Sequence, residues 1–311
     1  MSRAESESGP RPPGLTEYSL LLALGIAWGS SYMFTKIAVA DLHPLTLVAV
    51  RTFIAAAVLL ALLGLQSGFR RLSLGDVASF ALVGLVAIAL PLGLIAWSVS
   101  HVDSSVTATA MALVPLITAL MAMLRGEYPS WRNLVGIGVG IVGIGVLFGP
   151  DAFASFGDSA KGVLGALGAS VAFSASLFAM NRLRHFESST VSAISMGFAA
   201  PWSILFAILF EGIPDHLPDN HILGAVAVLA LFNTAAANIM LFAIARRAGA
   251  AFTSYNNYVV PGVAVLCGTI FLGEPLTIAK LLGVFLVLAG VTISTYRRRL
   301  QGPAAAPASS P

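Results

Sequence analysis

The chain has 311 residues, of which 57% are hydrophobic and only 10% charged, and its mean hydropathy is +0.89. A soluble domain carries about 25% charged residues, so lipid rather than water is the main solvent of this chain. Its net charge of +3 is scattered through short gaps between apolar runs, which excludes a nucleic-acid-binding patch.

A bilayer core needs about 20 apolar residues per helix, and helices close their own backbone hydrogen bonds. The chain accommodates ten such helices, at 18–40, 45–65, 74–98, 104–124, 131–148, 162–181, 190–210, 221–245, 251–272 and 277–296. Residues 1–17 precede the first as a polar, proline-containing tail with no cleavage pattern, so the first helix reads as an uncleaved insertion signal. The tail at 297–311 is Arg-, Ala-, Pro- and Ser-rich.

Basic residues test this layout because cytoplasmic loops retain them. With the N-terminus inside, Arg3, Arg11, Arg70, Arg71, Arg125, Arg132, Arg182, Arg184, Arg246, Arg247 and Arg297 to Arg299 are all cytoplasmic, while Lys161 and Lys280 lie outside and Lys36 and Arg51 fall within spans. Both termini are therefore expected in the cytoplasm.

The two halves of the chain are related. The run from Leu134 matches the run from Leu281, aligning Gly136 with Gly283 and Gly143 with Gly290, and Arg125-Gly126-Glu127 matches Leu272-Gly273-Glu274. Pro115 and Thr107 then align with Pro261 and Thr253. Five helices per copy is an odd number, so the second copy is inverted in the membrane, which is the architecture of alternating-access transporters. The expected units are a first five-helix repeat at 18–150 and an inverted one at 151–296.

Trp28-Gly29-Ser30-Ser31, Arg51, Pro115 with Gly126-Glu127, and Pro261 with Gly273-Glu274-Pro275 resemble the drug/metabolite transporter superfamily and its ten-helix EamA-type members. The nearest branch by this resemblance is the aromatic amino-acid exporters of the YddG type. The resemblance implies an all-α, ten-helix integral membrane fold and a bacterial inner-membrane exporter of amino acids or related metabolites. Its partners would be a small-molecule substrate and lipid, and the sequence does not separate monomer from homodimer.

Polar residues at membrane depth mark a cavity or a helix contact. Trp28, Ser31 and Tyr32 share a face of the first span, Ser174 lies in the sixth, Asn233 and Asn238 in the eighth, and Tyr255, Asn256 and Tyr258 in the ninth. With Trp97 of the third span, the aromatic members are candidates to grip a substrate side chain, and Ser31, Ser174, Asn233, Asn238 and Asn256 to address its amino and carboxylate groups. The bland alternative is that the small polar residues bond neighbouring helices. Lys36 and Arg51 lie within about 10 Å of the outer surface by helix rise, so snorkelling is expected, with gating or carboxylate contact the sharper reading. Glu127 and Glu274 occupy equivalent repeat positions as end caps or gate latches.

Cofactor and metal binding are not expected. The GxGxxG match at Gly138, Gly140 and Gly143 lies in an apolar helix and lacks the strand and turn that cradle a pyrophosphate. No HExxH, GxSxG or Cys/His cluster supports an enzyme. All 14 acidic residues lie in tails, loops or span ends, so facilitated export without a buried proton carrier is expected, with proton-coupled drug efflux as the alternative.

Overall fold

A computed structural model describes residues 14–66, 71–126, 130–148, 158–214 and 218–295. Glu127 and nearly all of both tails lie outside these residues. Among the described residues there is no β-strand.

The helices follow the apolar runs. They are α1 (Leu15–Ala38), α2 (Pro44–Gln66), α3 (Leu74–Val83), α4 (Leu90–His101), α5 (Ser104–Met111), α6 (Val114–Leu124) and α7 (Trp131–Phe148), followed by α8 (Asp158–Met180), α9 (Ser188–Phe210), α10 (Asn220–Ala230), α11 (Ala237–Thr253), α12 (Asn256–Leu272) and α13 (Ile278–Thr295). Among the described residues, seven continuous helical stretches are long and apolar enough to cross a bilayer, and three shorter apolar helices, Trp131–Leu147, Asn256–Leu272 and Ile278–Ser294, accompany them. Leu22, Phe53, Leu164, Leu209, Phe271 and Phe285 stand exposed on the outside, as side chains that meet lipid do.

Several expected spans are interrupted, each for a local reason. A π-helical turn, Gly84–Ala89, joins α3 to α4, and the Leu90 N–H bonds back to the Leu85 carbonyl. Pro91 follows at once; it has no N–H and its ring would strike the carbonyl four residues back, so the wider turn relieves the clash. A second π turn, Leu231–Ala236, joins α10 to α11, and there the Thr234 hydroxyl occupies the Leu229 carbonyl at 2.7 Å. Between α5 and α6 the N–H groups of Ala112 and Leu113 reach back only three residues, just before Pro115. Gly249 (φ +80) breaks α11, a left-handed conformation that glycine adopts without penalty. Ser254-Tyr255 then separates α11 from α12 by further three-residue bonds.

Packing divides the helices into groups. α1 lies against α12, α10 and α11; α8 lies against α4, α5 and α6; α2 and α9 pack on each other; and α7 packs on α13. Small residues allow the close approaches. A methyl group on Gly29 would come within 2.5 Å of Val263, and one on Gly136 within 2.5 Å of the Gly290 carbonyl oxygen. Gly143 is as tightly apposed to Val287, and Gly283 to Leu147.

Candidate functional site

The bundle led by α1 and the bundle led by α8 meet most firmly at the end where α1 finishes and α5 begins. Lys36 Nζ donates to the Val99 carbonyl at 2.5 Å and to that of Val102 at 2.9 Å. Lys36 thus caps the C-terminal carbonyls of α4 from α1. Glu274 accepts from the Ser104 N–H at 2.6 Å, the Ser105 N–H at 3.3 Å and the Ser105 hydroxyl at 2.5 Å, so its carboxylate caps the positive N-terminus of α5. Burial pushes the Glu274 carboxyl up, but the bonds from Ser104 and Ser105 outweigh this and hold it below the usual carboxylate range. Lys280 pairs with Asp103 at 2.9 Å and with Glu274 at 3.7 Å.

Glu211 repeats the device on the α2–α9 pair. Its two oxygens accept from the N–H groups of Leu45 and Thr46, both at 2.8 Å, at the start of α2. Sequence reasoning singled out neither Glu211, Asp103 nor Lys280. The available signal was an acid just past the end of one span with a free helix start elsewhere, and sequence spacing does not reveal that pairing.

Deeper in the molecule, α1 is flanked by two asparagines. Asn233, 1% exposed, donates from Nδ2 to the Ala27 carbonyl and, at 3.0 Å, to Ser30 Oγ, while its Oδ1 has no partner among the described residues. Asn256, 2% exposed in the first turn of α12, has both amide atoms buried without a partner among the described residues, beside Gly25. Trp28 and Tyr32 pack where α1 meets these elements, Tyr32 among Val99, Ala108, Val260 and Ala264.

Arg51 departs most from expectation. It lies within α2, neither at a helix end nor at the surface, with its side chain 6% exposed. Its Nε donates to Thr234 Oγ1 at 2.7 Å, on the π turn that also carries Asn233.

The remaining candidates disperse. Ser31 bonds the Trp28 carbonyl of its own helix. Ser174 donates to the Val114 and Ser170 carbonyls, so it fastens α8 to the start of α6. Asn238 donates to the Thr234 carbonyl and accepts from Ser192 of α9 at 3.1 Å. Trp97 packs on Gly165 of α8, its ring 4.7 Å from that of His101. Tyr255 is exposed and meets Phe252 edge-on, while Tyr258 packs on the core beneath α5, α7 and α13. Among the described residues no group of His, Cys, Asp and Glu could hold a metal ion.

A sequence model of the EamA-like transporter family matches residues 15–149 and again 160–296. The chain belongs to the EamA-like transporter family. Similar curated proteins span nearly its whole length. "Uncharacterized inner membrane transporter YedA" of Escherichia coli K12 is 30% identical over 286 residues, covering 91% of this chain and 92% of that protein. "Uncharacterized transporter YoaV" of Bacillus subtilis 168 is 21% identical over 89% of this chain and 95% of its own. A "Probable terminal-alkyne amino-acid exporter" of Streptantibioticus cattleyicolor is 23% identical over 90% of this chain and 93% of its own. A solved crystal structure at 22% identity superposes with a TM-score of 0.62, covering 92% of this chain and 99% of that one, and shares the fold. As an EamA-like protein with many apolar helices, the chain is a multi-pass membrane protein whose named relatives are transporters.

Proposed function

We propose that this EamA-like protein exports amino acids, with aromatic or other large neutral side chains the leading class, across a bacterial inner membrane by alternating access. In this reading ten helices cross the bilayer as two inverted five-helix repeats, both termini are cytoplasmic, and the latched end faces outward. The substrate site between the bundles then faces the cytoplasm in this state, ready to load.

The observation that carries the reading is the placement of the bonds between the two bundles. Those made by Lys36, Glu274 and Lys280 gather at one end, while Asn233 Oδ1 and both amide atoms of Asn256, without a partner among the described residues, lie away from that end beside the middle of α1. A closed polar latch over a polar interior is what one half-cycle of alternating access requires.

The internal symmetry supports the same reading. The register that carries Gly136 to Gly283 and Gly143 to Gly290 also exchanges their contacts: Gly136 faces Ser294 as Gly283 faces Leu147, and Gly143 faces Val287 as Gly290 faces Gly140. Gly126 (φ +85) and Gly273 (φ +66), aligned by the repeat, both adopt the left-handed conformation that ends a helix. The family model matches each half separately. α1 packs on α12 as α8 packs on α5 and α6, and the third and eighth spans each contain a π turn.

Substrate class is supported by the similar protein named as an amino-acid exporter and by the aromatic residues Trp28 and Tyr32 beside the asparagines. The described acidic residues sit at helix ends or in connections, which supports facilitated export over obligate proton exchange. Glu274, with Lys36, is the outer gate latch in this scheme, and Trp28, Tyr32, Asn233 and Asn256 are the core of the substrate site.

Counterflow in proteoliposomes tests the proposal with radiolabelled phenylalanine, tryptophan and leucine against nucleosides and cationic dyes. Accumulation of an amino acid without an imposed proton gradient is the expected result. Exchange of dyes alone would overturn the substrate class, and a strict need for a proton gradient would overturn the facilitated mechanism.

A further inference from the structure

Arg51 presents an unsolved electrostatic problem. A guanidinium carries five N–H donors, and burying it in a membrane bundle without an anion is costly. Among the described residues only Nε is hydrogen-bonded, to Thr234 Oγ1, and no carboxylate lies within ion-pair distance of Arg51. The Thr234 hydroxyl donates its own proton to the Leu229 carbonyl, so the oxygen that meets Nε is held in place as an acceptor. Arg51 is therefore fixed at its inner nitrogen, and its two terminal amino groups remain for an anion.

The adjacent residue carries the complementary group. Asn233 is oriented by two bonds from Nδ2, to the Ala27 carbonyl and Ser30 Oγ, and its Oδ1 is a buried acceptor with no partner among the described residues. The π turn Leu231–Ala236 holds Asn233 and Thr234 next to one another, and irregular turns of this kind in membrane helices frequently mark functional sites. A cation bonded to Thr234, with an unfilled acceptor on the residue before it in the same turn, suits a carboxylate and an ammonium borne on one carbon atom.

We infer that Arg51, held by Thr234, is the residue that recognises the substrate carboxylate, with Asn233 Oδ1 accepting from the neighbouring ammonium group. The cargo is then defined by its acid group, and the corresponding amine without a carboxylate is a poor ligand. This rests on the amino-acid reading above and adds to it a specificity determinant within the second and eighth spans. The competing role for Arg51 is a purely structural tie between α2 and the π turn.

Thermal-shift and equilibrium binding measurements on the purified full-length protein in detergent separate the two roles, using phenylalanine, 3-phenylpropionate and phenethylamine as matched probes. The wild type is expected to bind both acids and to bind phenethylamine roughly tenfold to a hundredfold more weakly than phenylalanine, the range of a charge-assisted hydrogen bond. Arg51→Lys and Arg51→Gln are expected to weaken both acids by a similar factor while leaving the amine unchanged. Should these variants fail to fold, Thr234→Val keeps the guanidinium but frees Nε, and a severalfold loss confined to the acids is expected. Asn233→Ala should weaken phenylalanine more than phenylpropionate.

Equal binding of acid and amine by the wild type would overturn the inference, as would equal losses for both probe types in Arg51→Gln or Thr234→Val, or binding of none of the acids. A wild type that binds the acids through Arg51 yet shows no amino-acid counterflow would leave the inference standing and remove the amino-acid export reading instead.

Discussion

The seam between α7 and α13 and the latched end of the two bundles are both helix contacts, yet they are built from opposite materials. The seam brings backbones together through Gly136, Gly143, Gly283 and Gly290, with no space for even one added methyl group. The other end holds helix termini through hydrogen bonds and ion pairs of Lys36, Glu274, Lys280 and Asp103. In lipid, close packing of small residues has no solvent competitor, whereas a carboxylate on a helix N-terminus near the interface has one. In the proposed cycle the first contact is the rigid scaffold and the second the one that opens.

The comparison breaks most visibly if the seam is overfilled. Gly290→Leu and Gly136→Leu are expected to abolish recovery of monodisperse protein, and Gly136→Ala to cost about 1–3 kcal/mol because it meets backbone that cannot retreat; thermal unfolding in detergent measures both. An unchanged melting temperature in Gly136→Ala would mean that the seam is loose.

Glu274→Ala should leave the fold intact and loosen the latch. Losing a helix cap costs about 1 kcal/mol, enough to raise severalfold the labelling of Ala108→Cys by a membrane-impermeant reagent, measured in a Cys267→Ser background. Labelling no faster than in the parent would remove Glu274 from the gate.

The same residue predicts a pH dependence. Its folded carboxyl lies below the ordinary value of 4.5, so its stabilisation is complete above that value and is lost as pH falls through the lower, folded one. Labelling should therefore be flat from neutral pH down to about pH 5 and rise only in stronger acid. Glu274→Gln should flatten that rise.

Asn256→Ala sharpens the contrast between structure and function. Removing an amide that bonds nothing among the described residues is expected to change stability by under about 1 kcal/mol in either direction, yet to lower export clearly in counterflow. Trp97→Ala gives the smallest transport effect, because its ring is already packed on Gly165 and His101; a modest drop in melting temperature with near-normal export is expected.

The helices were largely legible because the need for apolar length acts on each stretch alone, and 131–148 and 104–124 begin and end where expected. The interruptions were half legible. Pro91 and Pro115 announce a lost hydrogen bond, but the widening at Leu231–Ala236 arises from the reach of one threonine hydroxyl and has no proline to mark it. At the candidate site, polarity at depth picked out Asn233 and Asn256 but equally Ser174 and Ser31, whose hydroxyls are spent on nearby carbonyls. Polarity records that a side chain needs a partner and is silent on whether the fold supplies one.

Hydropathy, basic-residue alternation and the glycine register by themselves determined that this chain lives in a membrane, how its apolar helices are spaced and which family its motifs resemble, since each depends on local composition or on one half matching the other. Tertiary structure alone decided that Glu211 caps a helix 166 residues away, that Lys280 meets Asp103, and that Arg51 turns inward to Thr234 with no carboxylate among the described residues beside it. Those outcomes depend on which helix ends and which polar groups packing brings within 3 Å of one another, a relation between distant residues that no local pattern encodes.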